Sequence, residues 1–286
     1  MTANTSIWPN SRNCAVLITV NLDAESVDLH EAKRENLYGR YSYGRYGMRA
    51  GASRLLDVFR AHAINATFFV PALDAENNRA VIDSILEDGH EVGARGYAYE
   101  DHSRLGPLQR ATLEHAHTVL TKITGAKPVG WRAPFGMLST ETFQHLADLG
   151  YRYDSSFQDD DYPYVVDCGG GRQLVELPTF EALTDATFYN ARHSHSRVLK
   201  VWKEEFDAMY SAGHCVNVTL HPRGDYGSGR AIRARVVDEF IRYMARHPGV
   251  YFTTGRELAS WWAGEHPQSE PVGANLVPFD AALARG

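Results

Sequence analysis

Six short stretches of the chain end in residues able to do chemistry. VNLD supplies Asn21 and Asp23. GARGYAY supplies Arg95 and Tyr99, GWRAP supplies Arg132, and YDSSFQDDDYPY supplies Asp154 and the run Asp159, Asp160 and Asp161. LVELP supplies Glu176, and VTLHP supplies His221. An aspartate can act as a base or a ligand. An arginine keeps its charge and offers a fork of donors. A histidine titrates near neutrality and suits proton transfer. Together they could move protons and hold charge at a site. A lone strand-end aspartate is more often a turn cap, but convergence of several such positions points to a site.

The elements that must hold these residues alternate. CAVLITVNL (14–22), ATFFVP, HEVGAR, GWRAP, YRYDSS, LVELP, CVNVTLHP and VYFTT read as strands. GASRLLDVFRAH, RAVIDSILEDG, LQRATLEHAHTVLTKITG, ETFQHLADLG, a stretch around 198–213 and IRARVVDEFIRYMARH read as helices. This βα alternation predicts a parallel sheet with helices outside it. Periodicity alone does not separate a barrel from an open sheet. Residues 23–46, with YGRYSYGRYG, read as a long ordered loop whose Tyr38, Tyr41 and Tyr43 either line a pocket or pack. The segment from Glu265 onward is predicted to lie over the surface. Trp202 and Phe206 read as helix packing. His193 and His195, spaced to share a strand face, read as a polar-loop pair without a ligand role.

A chain of 286 residues with 44% hydrophobic residues is long enough to bury a large core. Its net charge of −6 offers no electrostatic footprint for nucleic acid or an anionic membrane. MTANTSIWPNSRN has neither the basic nor the apolar region of a signal peptide, and the longest apolar runs are too short to span a bilayer. A soluble cytoplasmic protein is therefore expected. Cys14, Cys168 and Cys215 are odd in number and widely spaced, so they read as buried free thiols.

Taken together, VNLDAES, YGRYGMRAGASRLLDVFRAHAINATFFVP, EDGHEVGARGY, WRAPFG, YDSSFQDDDYPY, VTLHP and HPGVYFTTGREL resemble the polysaccharide deacetylase family, with its NodB homology domain. Within that family they look most like the intracellular branch of metal-independent allantoinases, cyclic imide hydrolases and one type of peptidoglycan deacetylase. The resemblance spans about residues 8–262 and implies one domain over 1–286 with a C-terminal tail. It implies an α/β fold, a distorted (β/α) barrel with its site at the C-terminal mouth, and a homo-oligomer, tetramer or dimer.

In metal-using members the first strand ends in Asp-x-Asp, a base followed by a ligand, and H-x-x-x-H completes the zinc site. In this sequence the base position holds Asn21, the ligand position Asp23, and the two histidine positions Arg95 and Tyr99. No metal is therefore expected, with zinc or another divalent ion at Asp23 as the alternative. Replacement ligands would have to come from Glu25, Glu91, Glu100, Asp101 or His102, although Asp101–His102 also reads as a solvated turn. Arg95 is expected to face Asp23 as a bidentate pair where the cation would sit. His221 matches the histidine that protonates the leaving group. Arg132 matches the arginine of R-x-P-x-G that supports the base, and without an aspartate at 21 it could bind substrate instead. Asp160 and Asp161 either lie along the site or form a solvated acidic turn.

The resulting expectation is a carbon–nitrogen hydrolase that opens a small cyclic amide, imide or ureide. Asp23, His221 and Arg95 are its catalytic candidates; Asn21, Tyr99, Arg132, Asp160, Asp161, Glu176 and Tyr43 are its substrate-binding candidates. Its partner would be a small-molecule substrate rather than nucleic acid or membrane. A metal-dependent deacetylase of an N-acetylated sugar and an inactive ligand-binding relative are the alternatives.

Overall fold

The computed structural model describes residues 7–32 and 38–271. In chain order the strands are β1 (Cys14–Asn21), β2 (Thr67–Val70), β3 (Glu91–Ala94), β4 (Gly130–Trp131), β5 (Tyr153–Asp154), β6 (Tyr164–Asp167), β7 (Gln173–Glu176), β8 (Val216–Leu220), β9 (Val250–Thr253) and β10 (Ser269–Pro271). The helices are α1 (Glu25–Ala32), α2 (Tyr38–Tyr46), α3 (Ala52–His62), α4 (Ala72–Asn77), α5 (Arg79–Glu87), α6 (Gln109–Thr124), α7 (Thr140–Leu149), α8 (Asp185–Asn190), α9 (His195–Ala212), α10 (Ala231–Met244) and α11 (Gly255–Glu265).

One curled sheet runs β10-β6-β7-β5-β4-β3-β2-β1-β8, with β9 also paired to β1. Its pairings are parallel except β6 with β7. Thr184, beyond β7, bridges Thr219 of β8, so the sheet bends round toward itself. The fold is therefore α/β, a half-barrel of the NodB (β/α) type. Every residue of β1 is buried, as a strand covered on both faces requires. Outside the sheet, Leu55, Phe59, Ile82, Leu113, Phe206 and Phe240 join one apolar cluster with the outward-facing β1 residues Val16 and Ile18. Inside it, Leu17, Phe69, Tyr153, Val175 and Trp262 form a second.

Residues 23–46 are not a loop, because α1 and α2 occupy most of this stretch. Gly44 of YGRYSYGRYG serves close packing rather than turning: a Cβ there would stand 2.6 Å from the backbone of Ala24. Tyr43 is 40% exposed on α2. The side chains of Tyr38 and Tyr41 lie outside the described residues. His195 opens α9 behind the N-cap Ser194, so it is not on a strand. The start of the C-terminal tail adds β10 to β6, and its remainder is outside the described residues.

The barrel floor is closed by α11. Thr254 and Glu257 form a reciprocal cap at its start. The buried Glu91 accepts from Arg256 N and Thr67 Oγ1, each at 2.9 Å, and from Tyr153 Oη at 2.9 Å. Among the described residues no helix is long and apolar enough to cross a membrane.

Candidate active site

The polar residues gather where β1, β3, β4 and β8 end. Asp23 follows β1, and its turn is tied down by Asp74 of α4, which accepts from Ala24 N (3.0 Å), Ser26 N (3.1 Å) and Ser26 Oγ. Burial pushes the Asp74 pKa up to about 7. His221 follows β8. The Pro222 carbonyl packs so tightly on Gly51 that a Cβ there would come within 1.8 Å of its oxygen, so only glycine admits this turn. Arg223, fully buried, grips Asp28 and Asp225 through both ends of its guanidinium and donates to Ala24 O at 3.0 Å. It thereby fastens the β8 exit to the β1 exit.

Arg95 donates from Nε to Asp23 Oδ1 at 2.9 Å, from Nη1 to Ala133 O at 3.0 Å and from Nη2 to Tyr99 Oη at 3.2 Å. The expected bidentate pair is thus a single-point pair, because the other two nitrogens are drawn to the β4 exit and to the phenol. Burial alone would depress the arginine; Asp23 and Tyr99 more than offset this and hold it firmly charged. Tyr99 sits at φ 66° with its ring against Phe135.

His221 Nδ1 lies 2.7 Å from Asp185 Oδ1, and Asp185 Oδ2 accepts from His221 N (2.9 Å) and Ser228 N (2.8 Å). With Nδ1 donating to that carboxylate, the neutral ring presents Nε2 as an acceptor. Asn21 Nδ2 stands 3.1 Å from it. The amide orientation is consistent, because Asn21 Oδ1 accepts from Arg132 Nη1 at 3.1 Å. Asp23 Oδ2 faces the same Nε2 at 3.7 Å and has no hydrogen-bond partner among the described residues.

Arg132 does not reach the mouth. It lies beneath Asn21, donating also to Ser155 O and Ser155 Oγ at 2.7 Å and to Thr19 Oγ1 at 3.0 Å, over the Phe69 ring. Burial first, and the nearby Arg95 second, lower its pKa to about 9. Its donors support Asn21 and the strand ends around it.

Glu176, the last residue of β7, is also buried. Its Oε1 accepts from Ser156 N and Phe157 N at 3.0 Å, and Asp154 Oδ1 accepts from Ser156 Oγ at 2.8 Å. The register sets Asp154 opposite Glu176. Their remaining oxygens find no other partner. Burial, then the mutual repulsion of the two charges, raises the Glu176 pKa well above its ordinary value; burial raises that of Asp154. Two carboxyls so placed favour a shared proton over two charges.

Asp160 and Asp161 are exposed and outside the cluster. Asp160 accepts from Tyr162 N, and the Asp161 carbonyl accepts from Cys215 N at the start of β8, the opposite end of that strand from His221. The chain after β5 turns away from the site to begin the β6–β7 hairpin. Tyr43 forms no hydrogen bond with the cluster among the described residues. His102 is buried against Trp131, not solvated. Glu100 caps Tyr97 N and Ala98 N, Asp101 caps Ser103 N, and Glu91 lies at the floor. No group of three or more His, Cys, Asp or Glu suited to a metal exists among the described residues. With a guanidinium bonded to Asp23 and a phenol beside it, the side chains present do not fit a divalent cation.

Sequence reasoning missed Asp185, Asp74, Arg223 and Tyr226. The Tyr226 ring stands across that of His221, centroids 5.3 Å apart. The three cysteines are buried free thiols, and burial pushes Cys14 up to about 12.

Residues 42–153 match the family described as polysaccharide deacetylase. A crystal structure from Mycobacterium smegmatis, assigned as a polysaccharide deacetylase, is 31% identical over 92% of this chain and 94% of its own, with a TM-score of 0.82. The PuuE allantoinase structure is 26% identical over 92% and 94%, also with a TM-score of 0.82. The peptidoglycan deacetylase of Helicobacter pylori is 25% identical over 91% of this chain and 100% of its own. This chain belongs to the polysaccharide deacetylase (NodB-homology) family of hydrolases acting on carbon–nitrogen bonds other than peptide bonds.

Proposed function

We propose that the protein hydrolyses the carbon–nitrogen bond of a small cyclic amide, imide or ureide without a divalent metal. The observation that carries this reading is the charge set at the strand ends. A fixed guanidinium, Arg95, is bonded to Asp23 where the family's cation would be held, beside an Asp185–His221 pair. With Asn21 Nδ2 turned from His221 Nε2 to the incoming substrate, Nε2 takes a proton from water as the water attacks the carbonyl. Asp185 holds the ring in its reactive tautomer and stabilises the imidazolium that forms. The imidazolium then returns the proton to the departing nitrogen. Arg95 and the Tyr99 phenol that it polarises offset the negative charge on the carbonyl oxygen. A strained or activated ring carbonyl suits a site without a Lewis acid. The likeness to PuuE allantoinase supports this substrate class.

The likeness to the Helicobacter pylori peptidoglycan deacetylase favours a second reading, removal of an acetyl group from an N-acetylated sugar. Chelator-treated protein, assayed for metal content and for turnover of allantoin, succinimide, hydantoin and N-acetylated chitooligosaccharides, separates the two. Ring opening in metal-free protein is the expected result. Activity on the sugars alone, tracking bound zinc, would overturn it.

A further inference from the structure

Asp23 has an acceptor that the described residues leave unused. The residue is fully buried, and while Oδ1 takes Arg95 Nε, Oδ2 has no donor among the described residues. The donors around it are committed elsewhere: Asn21 Nδ2 to His221, and the other Arg95 nitrogens to Ala133 O and Tyr99. Leaving a buried carboxylate oxygen unmatched is costly. The oxygen also lies 3.7 Å from His221 Nε2, the nitrogen that would handle the attacking water. A donor reaching Oδ2 therefore lies beside the carbonyl under attack. On the neighbouring face stands Tyr226, whose phenol burial and the Asp23 charge keep protonated.

We propose that Asp23 Oδ2 recognises an N–H of the substrate adjacent to the scissile carbonyl, so that the ligand class is an N-unsubstituted imide, amide or ureide ring. This rests on the hydrolytic reading given above. In such rings N–H and C=O are neighbours, so one contact fixes the other. Imide and ureide N–H groups are strong donors to a carboxylate. A ring alkylated on nitrogen would bury a methyl group against the carboxylate and leave it unpaired.

The test uses wild-type, chelator-treated protein with succinimide and hydantoin. Each is compared with its N-methyl form and with an isomer methylated on a ring carbon, by kcat/KM and by calorimetric Kd. N-methylation is expected to lower kcat/KM and to raise Kd, each by about 10- to 100-fold, while the carbon-methylated isomer tracks the parent. Equal handling of the N-methyl ring, with turnover intact, overturns the proposal and leaves the hydrolytic reading standing. If no ring is opened, the hydrolytic reading fails and the Kd values decide. Preference for the N–H ring then supports recognition by Asp23; equal binding, or none, overturns it. Asp23→Ala, where it folds, should erase the preference.

Discussion

Two buried carboxylates, Glu91 at the barrel floor and Asp23 at the strand ends, are alike in burial and opposite in what surrounds them. Glu91 has every oxygen engaged, by Thr67, Tyr153 and the first turn of α11. Asp23 has one oxygen held by Arg95 and one unmatched. A satisfied buried charge organises structure, whereas an incompletely satisfied one, aimed at a histidine, keeps capacity for something that is not protein. The same contrast separates the two arginines. Arg132 is saturated by neutral acceptors below Asn21; Arg95 lies level with the imidazole.

The comparison is broken most severely if the imidazole proves idle. His221→Ala should cut kcat on the ring substrate by about 10²–10⁴-fold with the fold retained by circular dichroism; near-normal kcat would remove His221 from the chemistry. Next come the two ion sites themselves. Arg95→Ala strands a buried carboxylate and should cost about 3–5 kcal/mol in urea unfolding. Glu91→Ala should cost roughly 3 kcal/mol by leaving three donors unmatched, yet leave kcat near wild type. An equal loss of kcat in both variants would dissolve the distinction between floor and mouth.

A smaller effect concerns the shared proton of Asp154 and Glu176. Their raised pKa values mean that the folded state binds more protons than the unfolded chain once pH exceeds the ordinary carboxyl value, about 4. Their contribution to stability is therefore intact below that value and is lost as pH rises through the raised folded values. Glu176→Gln can still accept from Ser156 N and Phe157 N and can donate to Asp154, so its Tm should fall less than wild type as pH rises above the ordinary carboxyl value. An unchanged slope would mean that no proton is shared. Least of all, Asp160→Asn and Asp161→Asn should move stability by no more than about 0.5 kcal/mol and leave KM unaltered. A clear rise in KM would return that acidic run to the site.

The parts of the fold legible in the sequence are those in which apolar periodicity does the work: β1, β2, β3, β8 and the long outer helices. α1 and α2 escaped because a tyrosine- and glycine-rich polar stretch carries no apolar stripe, and Gly44 answers to close packing. β6 was hidden in a short hairpin across GGG, and α11 behind an unread T-x-x-E cap. In the site, Asp23, Arg95, Tyr99, Asn21 and His221 stand together because each ends or follows a strand. Asp185 lay one step inside a six-residue helix. Only the fold brings it to an imidazole 36 residues away. Asp160 and Asp161 look like strand-end residues in sequence, but β5 is two residues long and the chain has left the mouth before reaching them.

The pairing of β1 also bears on how the molecule is made. Cys14–Asn21 is a fully buried strand whose neighbour β8 lies about 200 residues later, as the Thr19–Thr219 contact records. During synthesis one edge of that strand has no mate until Leu220 has emerged, and half of the other waits for β9. A strand of this kind is a template for wrong partners. Its long-range closure makes folding slow and exposes the nascent chain to aggregation until the last βα units arrive.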